Sequence, residues 1–239
     1  MKISLVPVLF LLQMIAILFA ARQAVHRGEL GSTGWIHTFV VLVTIWGAVS
    51  TWHAFTGVYQ SKAFLEAYPT FWLPFIPVIL CVIPLLLFAK ARNTVRSLID
   101  ATPIRWLIGI HALRILAIGT LIKAWKEEFT MSFATWVGLP DMLFGLSALL
   151  MIWLSLKDRI GNLGLFAWNL LGVFVILPGA PLVGQMGLPG MLHAIEETPS
   201  MTTLYEFPMV LAPSLVVPIF VMLNLFVAIR LIERSFIEK

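Results

Sequence analysis

Apolar residues run along this chain in long unbroken stretches, not in alternation with polar ones. Segments such as IPVILCVIPLLLFA and LVVPIFVMLNLFVAI lack the period of two that a membrane barrel strand requires. A backbone in lipid must satisfy its own hydrogen bonds, so stretches of this kind are expected to be helices. Runs of about twenty apolar residues, enough to cross a hydrocarbon core, fall at Ile3–Ala21, Gly34–Phe55, Pro69–Ala89, Trp106–Ala124, Leu139–Leu156, Leu163–Val183 and Pro208–Ile229. The pattern predicts an all-α fold: one integral membrane domain over residues 1–239, built as a seven-transmembrane-helix bundle.

The segments between these runs alternate in positive charge. One side collects Arg22, Arg27, Lys90, Arg92, Arg96, Arg105, Lys157, Arg159, Arg230, Arg234 and Lys239, while the other holds only Lys2, Lys62, Lys123 and Lys126. Basic loops stay in the cytoplasm. This predicts the N-terminus outside and the C-terminus in the cytoplasm. Read as a cleaved signal peptide, the first run would invert every later span and put the basic loops on the wrong side, so it is kept as a true span. Tryptophan favours membrane interfaces. Trp35, Trp106, Trp153 and Trp168 fall near one set of ends, Trp52, Trp72, Trp125 and Trp136 near the other, and Trp46 mid-span.

Composition agrees: 60% of the 239 residues are hydrophobic and 12% charged, about half the charge of a soluble domain. The net charge of +4 comes from loop residues and carries topology, so nucleic acid is not an expected partner. A single cysteine, Cys81, excludes an internal disulfide, and no Cys or Cys/His spacing suits zinc or an iron–sulfur cluster. The longest connections are 125–138 and 184–207. The second has no Lys or Arg but contains His193, Glu196, Glu197 and Glu206, and its GLPGMLHAIEE segment is expected to form a short interfacial helix.

Polar residues inside the runs carry the candidate chemistry. Arg114, in IRWLIGIHALRILAIGT, lies about 13 Å beyond Arg105 along an α-helix. Its functional role would be a cationic wall for an anionic ligand; the alternative is a structural arginine bonded to carbonyls. His111 sits three residues earlier on the same face. Asn169 and Asn224 lie at similar depth and would join His111 in one polar layer, either as helix glue or as ligand contacts. Gln13 is a further residue of the glue type. Asp141, in GLPDMLFG, opens the fifth run. There its carboxylate would meet a positive helix N-terminus, and pairing with Arg114 would need a broken helix or a cavity. His37 and His53 lie on nearly opposite faces of the second run. His37 with His111 would be the pair for a single haem. Prolines cluster in the third and seventh runs, and PGAP (residues 178–181) interrupts the sixth. Such breaks free backbone carbonyls and suggest an outward vestibule fringed by Glu196, Glu197 and Glu206.

No P-loop, HExxH or dinucleotide fingerprint occurs, and the last run has no lysine for a retinal Schiff base. The segments PIRWLIGIHALRILAIG, GLPDMLFGLSAL, AWNLLGVFVIL and APSLVVPIFVMLNL together resemble a group of small bacterial inner-membrane proteins with several helices. That resemblance covers the last four runs. It implies a bacterial plasma-membrane location and the seven-helix layout, and it implies no activity.

These observations lead to a protein of the lipid bilayer that binds, and moves, a small polar or anionic solute. Arg114, His111, Asn169, Asn224 and Asp141 are the candidate contacts, with no metal and no cofactor. One alternative is a membrane-embedded haem, redox or enzyme protein using His37 and His111. Another is a subunit or assembly factor that works in a homo-oligomer or beside a membrane partner.

Overall fold

The computed structural model describes residues 4–237. Ile3, and the Lys2 and Lys239 of the charge pattern, lie outside the described residues. Among those described there is no strand, and seven helices are long and apolar enough to cross a membrane. They are Val6–His26 (span 1), Gly34–Phe55 (span 2), Pro69–Leu87 (span 3), Ile104–Trp125 (span 4), Met131–Leu156 (span 5), Asn162–Met186 (span 6) and Ala212–Ser235 (span 7).

The boundaries shift where local chemistry overrides hydropathy. Span 3 stops at Leu87 because Phe88 turns to extended backbone, and a separate helix, Ala89–Ala101, follows it. Hydropathy alone marks this stretch as a loop between spans 3 and 4. It is an amphipathic helix that lays Val95, Leu98 and Ala101 against Ala21, Ala24, Leu30 and Ile36. Arg92 reaches back from it to the carbonyls of Leu85 and Leu86, both at 2.9 Å. Those are orphan acceptors at the end of span 3. Span 5 starts eight residues earlier than hydropathy places it, since Thr130 caps Met131–Phe133 and a π-helical turn at Ala134–Gly138 carries the helix into Pro140. The wider turn accommodates a proline that an α-helical interior would reject. The expected helix over GLPGMLHAIEE does not form. Gly190 takes a φ of 132°, and the Met186 carbonyl accepts from both Ala194 and Ile195, so the chain folds back on the end of span 6.

Span 7 is the most buried of the seven and runs through the middle of the core. Pro218 cannot donate to Ser214, four residues earlier. The indole of Trp46 donates to that carbonyl instead, at 2.9 Å. In the same π-helical turn, Ala212–Val216, the Val216 carbonyl accepts from Gln13 at 3.0 Å. Spans 1 and 2 are thereby pinned to the irregular stretch of span 7.

The two ends of the bundle differ. At one end Arg230 and Arg234 both bond Asp100, at 2.6 and 2.5 Å, and Arg96 bonds Glu233 at 2.5 Å. Burial pushes the Asp100 carboxyl up. The hydrogen bond from Arg230 and the charges of Arg234 and Arg230 outweigh this and hold it below its usual range. This is the basic end. At the other end Tyr59, Phe64 and Tyr205 pack ring against ring, and Tyr68 accepts a hydrogen bond from the Met191 amide.

Candidate functional site

Span 4 is not a uniform α-helix: Ile110–Ala117 is wound as a 3-10 helix. Such stretches seldom exceed 3–4 residues, and in them side chains three apart eclipse. His111, Arg114 and Ala117 therefore stand in one column. Span 5 explains why this segment is held so closely. A Cβ on Gly145 would lie 2.4 Å from the Ile115 amide nitrogen, and one on Gly138 would lie 2.3 Å from the Thr120 hydroxyl oxygen. The two backbones touch. Ala134, Gly138, Asp141, Gly145 and Ala148 follow one another at spacings of three or four, which puts Asp141 within this seam of small residues.

Arg114 is 1% exposed and is held from three directions. Its Nε donates to Asp141 Oδ1 at 2.5 Å, and its Nη1 donates to the Gly172 carbonyl at 3.2 Å. The ring of Phe144 lies under the guanidinium, 4.3 Å from carbon to centroid. Gly172 is available because span 6 breaks beside it: the Val175 amide takes Leu171, and the Ile176 and Leu177 amides both take Val173. The helix ladder skips the Gly172 oxygen, and Arg114 uses it. The remaining guanidinium nitrogen, Nη2, is buried without a protein partner.

This pair forms the floor of a cavity of about 660 Å³, within the usual range for small-molecule sites. Its walls come from Val6 and Leu9 of span 1 with Ser4 and Leu5 just before it, Thr70 and Pro74 of span 3, Lys123 of span 4, Phe133 and Val137 of span 5, Ile176 and Pro181 of span 6, Tyr205 and Met209 before span 7, and Val216 and Phe220 within it. Lys126 and Glu128 stand exposed at the mouth. Among the described residues, none that lines the cavity belongs to the basic end. The surface is mainly aliphatic and aromatic, with charge concentrated at the floor, on Lys123 and at the mouth. Within the pair the exposure is uneven: the Arg114 side chain is 0% exposed and that of Asp141 14%. Both residues line the cavity, and the carboxylate is the more exposed of the two.

The expected polar layer lies elsewhere. His111 is 0% exposed and is surrounded by the rings of Trp168, Phe220 and Phe144, at centroid distances of 5.6, 5.8 and 5.9 Å. Asn224 is also fully buried, pressed against Gly172, where a Cβ would come within 2.6 Å of its amide nitrogen. Neither His111 ring nitrogen and neither amide atom of Asn224 has a protein partner. Asn169 donates to Leu165 of its own helix at 2.9 Å. None of the three lines the cavity. The fold thus brings Arg114 and Asp141 together at the cavity floor and sets His111 and Asn224 behind them, in an aromatic layer. Trp168, read from sequence as interfacial, stacks on Phe144 in that layer and is 7% exposed.

Asp141 is not a helix cap. The helix begins ten residues earlier at Met131, and the carboxylate faces Arg114 across the seam. The two devices that such pairing requires, a broken helix and a cavity, are both present. The cavity occupies the end where prolines break spans 6 and 7, but the expected acidic fringe does not line it. Glu197 instead accepts from the Thr130 hydroxyl and from the Ser132 amide, tying down the start of span 5. Glu196 is 90% exposed beside His193. Lys123, read from sequence as a loop residue, is 9% exposed and lies on the cavity wall, with its Nζ 3.5 Å from the Met209 sulfur. The haem pair does not assemble: His37 is exposed on span 2, whereas His111 is enclosed by three rings. Among the described residues no group of three His, Cys, Asp or Glu side chains is placed to hold a metal ion.

No curated protein and no solved structure matches the chain. A family model described as a domain of unknown function, DUF8737, matches residues 70–232, which take in spans 3 to 6, nearly all of span 7, and both members of the ion pair. The chain belongs to that family.

Proposed function

We propose that the protein binds a small polar or anionic solute in the cavity above Arg114 and Asp141, and that this binding serves its movement across a bacterial inner membrane. The observation that carries the reading is the ion pair at the cavity floor. An arginine and an aspartate deep in a helix bundle are costly, and intramembrane charges concentrate on ligand and ion pathways. Here they border open space, and the arginine retains an unused donor. Thr70, Lys123 and Tyr205 on the walls add polar contacts for a solute that is not wholly apolar. The asymmetry of basic residues supports an orientation with the basic end in the cytoplasm and the cavity mouth outside. His111 and Asn224 act behind the site in this arrangement, by fixing the aromatic layer against which Arg114 rests.

The test is ligand-dependent thermal stabilisation of the detergent-purified protein, screened with nitrate, methanesulfonate, succinate and inorganic phosphate. At least one of these anions is expected to raise the unfolding temperature, and native mass spectrometry should show its retained mass. The double variant R114L/D141L removes both charges at once and leaves no unpaired ion, so it should fold and fail to respond. An unchanged response in that variant would remove Arg114 from the site.

A further inference from the structure

We propose that Asp141 is a built-in competitor for the anion site, so that an anion binds Arg114 only as Asp141 takes up a proton. This rests on the cavity-binding reading above and specifies its coupling. The geometry supplies the argument. Arg114 Nε is occupied by the Asp141 carboxylate at 2.5 Å, both residues line the cavity, and the carboxylate is the more exposed of the two. An arriving anion therefore meets a guanidinium already paired with a negative charge. If it displaced that charge while Asp141 stayed ionised, two anions would share one cation in a site walled by aliphatic and aromatic side chains. Like charges at such spacing do not both persist, and one of them takes a proton.

The step balances without any further reactant. Asp141 COO⁻ and a proton from solution give COOH, its bond to Arg114 Nε is released, and the anion takes over the guanidinium through Nε and Nη2. Nη1 stays on the Gly172 carbonyl, so the arginine is held in place throughout. The floor carries one net pair of opposite charges before and after. The solute and the proton enter together.

The other groups facing Asp141 define what competes with this coupling. Span 4 contributes Arg114 and Lys123, with Lys126 and Glu128 following at the mouth, and Tyr205 faces in from the segment before span 7. Among the described residues span 5 adds no second titratable group to the lining, and spans 1, 3, 6 and 7 add none. His111, in the column with Arg114, lies behind the guanidinium and off the cavity. Among the described residues Lys123 is the other buried charged group on the lining besides the pair itself.

The experiment is titration calorimetry of the purified wild-type protein with nitrate and methanesulfonate, neither of which titrates between about pH 5 and about pH 8. Runs in buffers of different ionisation enthalpy count the protons. The expected result is uptake of about one proton per anion, with affinity falling about tenfold per pH unit as pH rises through the range where free Asp141 is ionised. D141N should bind the same anion with no proton uptake and no such slope. Binding by wild type without proton uptake would overturn the coupling and leave the cavity reading standing. Failure of both wild type and D141N to bind either anion at any pH in the range would overturn the cavity reading and the coupling with it. Should D141N fail to fold, the wild-type proton count decides alone.

Discussion

At the scale of single residues, the ion pair sets stability as well as chemistry. Removing one member of a buried pair typically costs about 3–5 kcal/mol, because the other charge is left unmatched, whereas replacing both with apolar residues is often nearly neutral. R114L is therefore expected to unfold at a clearly lower temperature than wild type, and R114L/D141L to recover most of the loss. Thermal unfolding of the three proteins in one detergent checks the ordering. A double variant no more stable than the single one would show that the packing of Arg114 on Phe144, at 4.3 Å, matters more than its charge. Arg114 was legible in the sequence because a lone arginine in an apolar run has few explanations. Its partner was not, since Pro140 beside Asp141 imitates the start of a helix. The corrective signal was present: Ala134, Gly138, Gly145 and Ala148 flank Asp141 at helical spacing and mark the face that meets another helix. Lys123 was misplaced for a related reason, because charge near a predicted helix end reads as loop until the fold shows which way it points.

At the scale of elements, the site depends on helices that deviate from α geometry. The 3-10 stretch of span 4 lines up His111 with Arg114, the break in span 6 releases the Gly172 carbonyl, and the π-helical turn in span 5 lets the helix run through Pro140. Hydropathy finds the seven runs because burial in lipid demands length and apolarity, and every predicted run has a counterpart. It cannot find these deviations, which arise from contacts between elements. It also passes over Ala89–Ala101, whose apolar residues occupy one face only. The close seam between spans 4 and 5 gives the sharpest test at this scale. Gly145→Ala places a methyl group 2.4 Å from a backbone nitrogen and 2.8 Å from the Arg114 carbonyl carbon, so the spans must separate. Overpacking of this kind costs about 1–3 kcal/mol. Gly119→Ala, in the same span 4, meets nothing within 4 Å and should be neutral or slightly stabilising. Unfolding temperatures of the two variants should differ clearly, with G145A the lower. Equal values would mean that the seam relaxes freely and does not hold the 3-10 segment.

At the scale of the whole molecule, the cavity gives the bundle a direction. Its mouth lies opposite the basic end, where Arg230 and Arg234 converge on Asp100. The side of the membrane that each end is proposed to face rests on a separate observation, the retention of Lys and Arg on the cytoplasmic side. Two probes separate the alternatives. Met191 is 91% exposed at the cavity end, and Asn162 is exposed at the start of span 6 at the opposite end. Neither carries a charge, so replacing it leaves the topological signal intact. Cys81, the single cysteine, is replaced by alanine to silence the background. In intact cells a membrane-impermeant maleimide should label M191C and spare N162C until the membrane is permeabilised. The reverse pattern would turn the mouth towards the cytoplasm, and the solute and proton would then load from inside. Labelling of both positions in intact cells would mean that the chain inserts in two orientations. The charge asymmetry would then be too weak to set the direction in which the cavity loads.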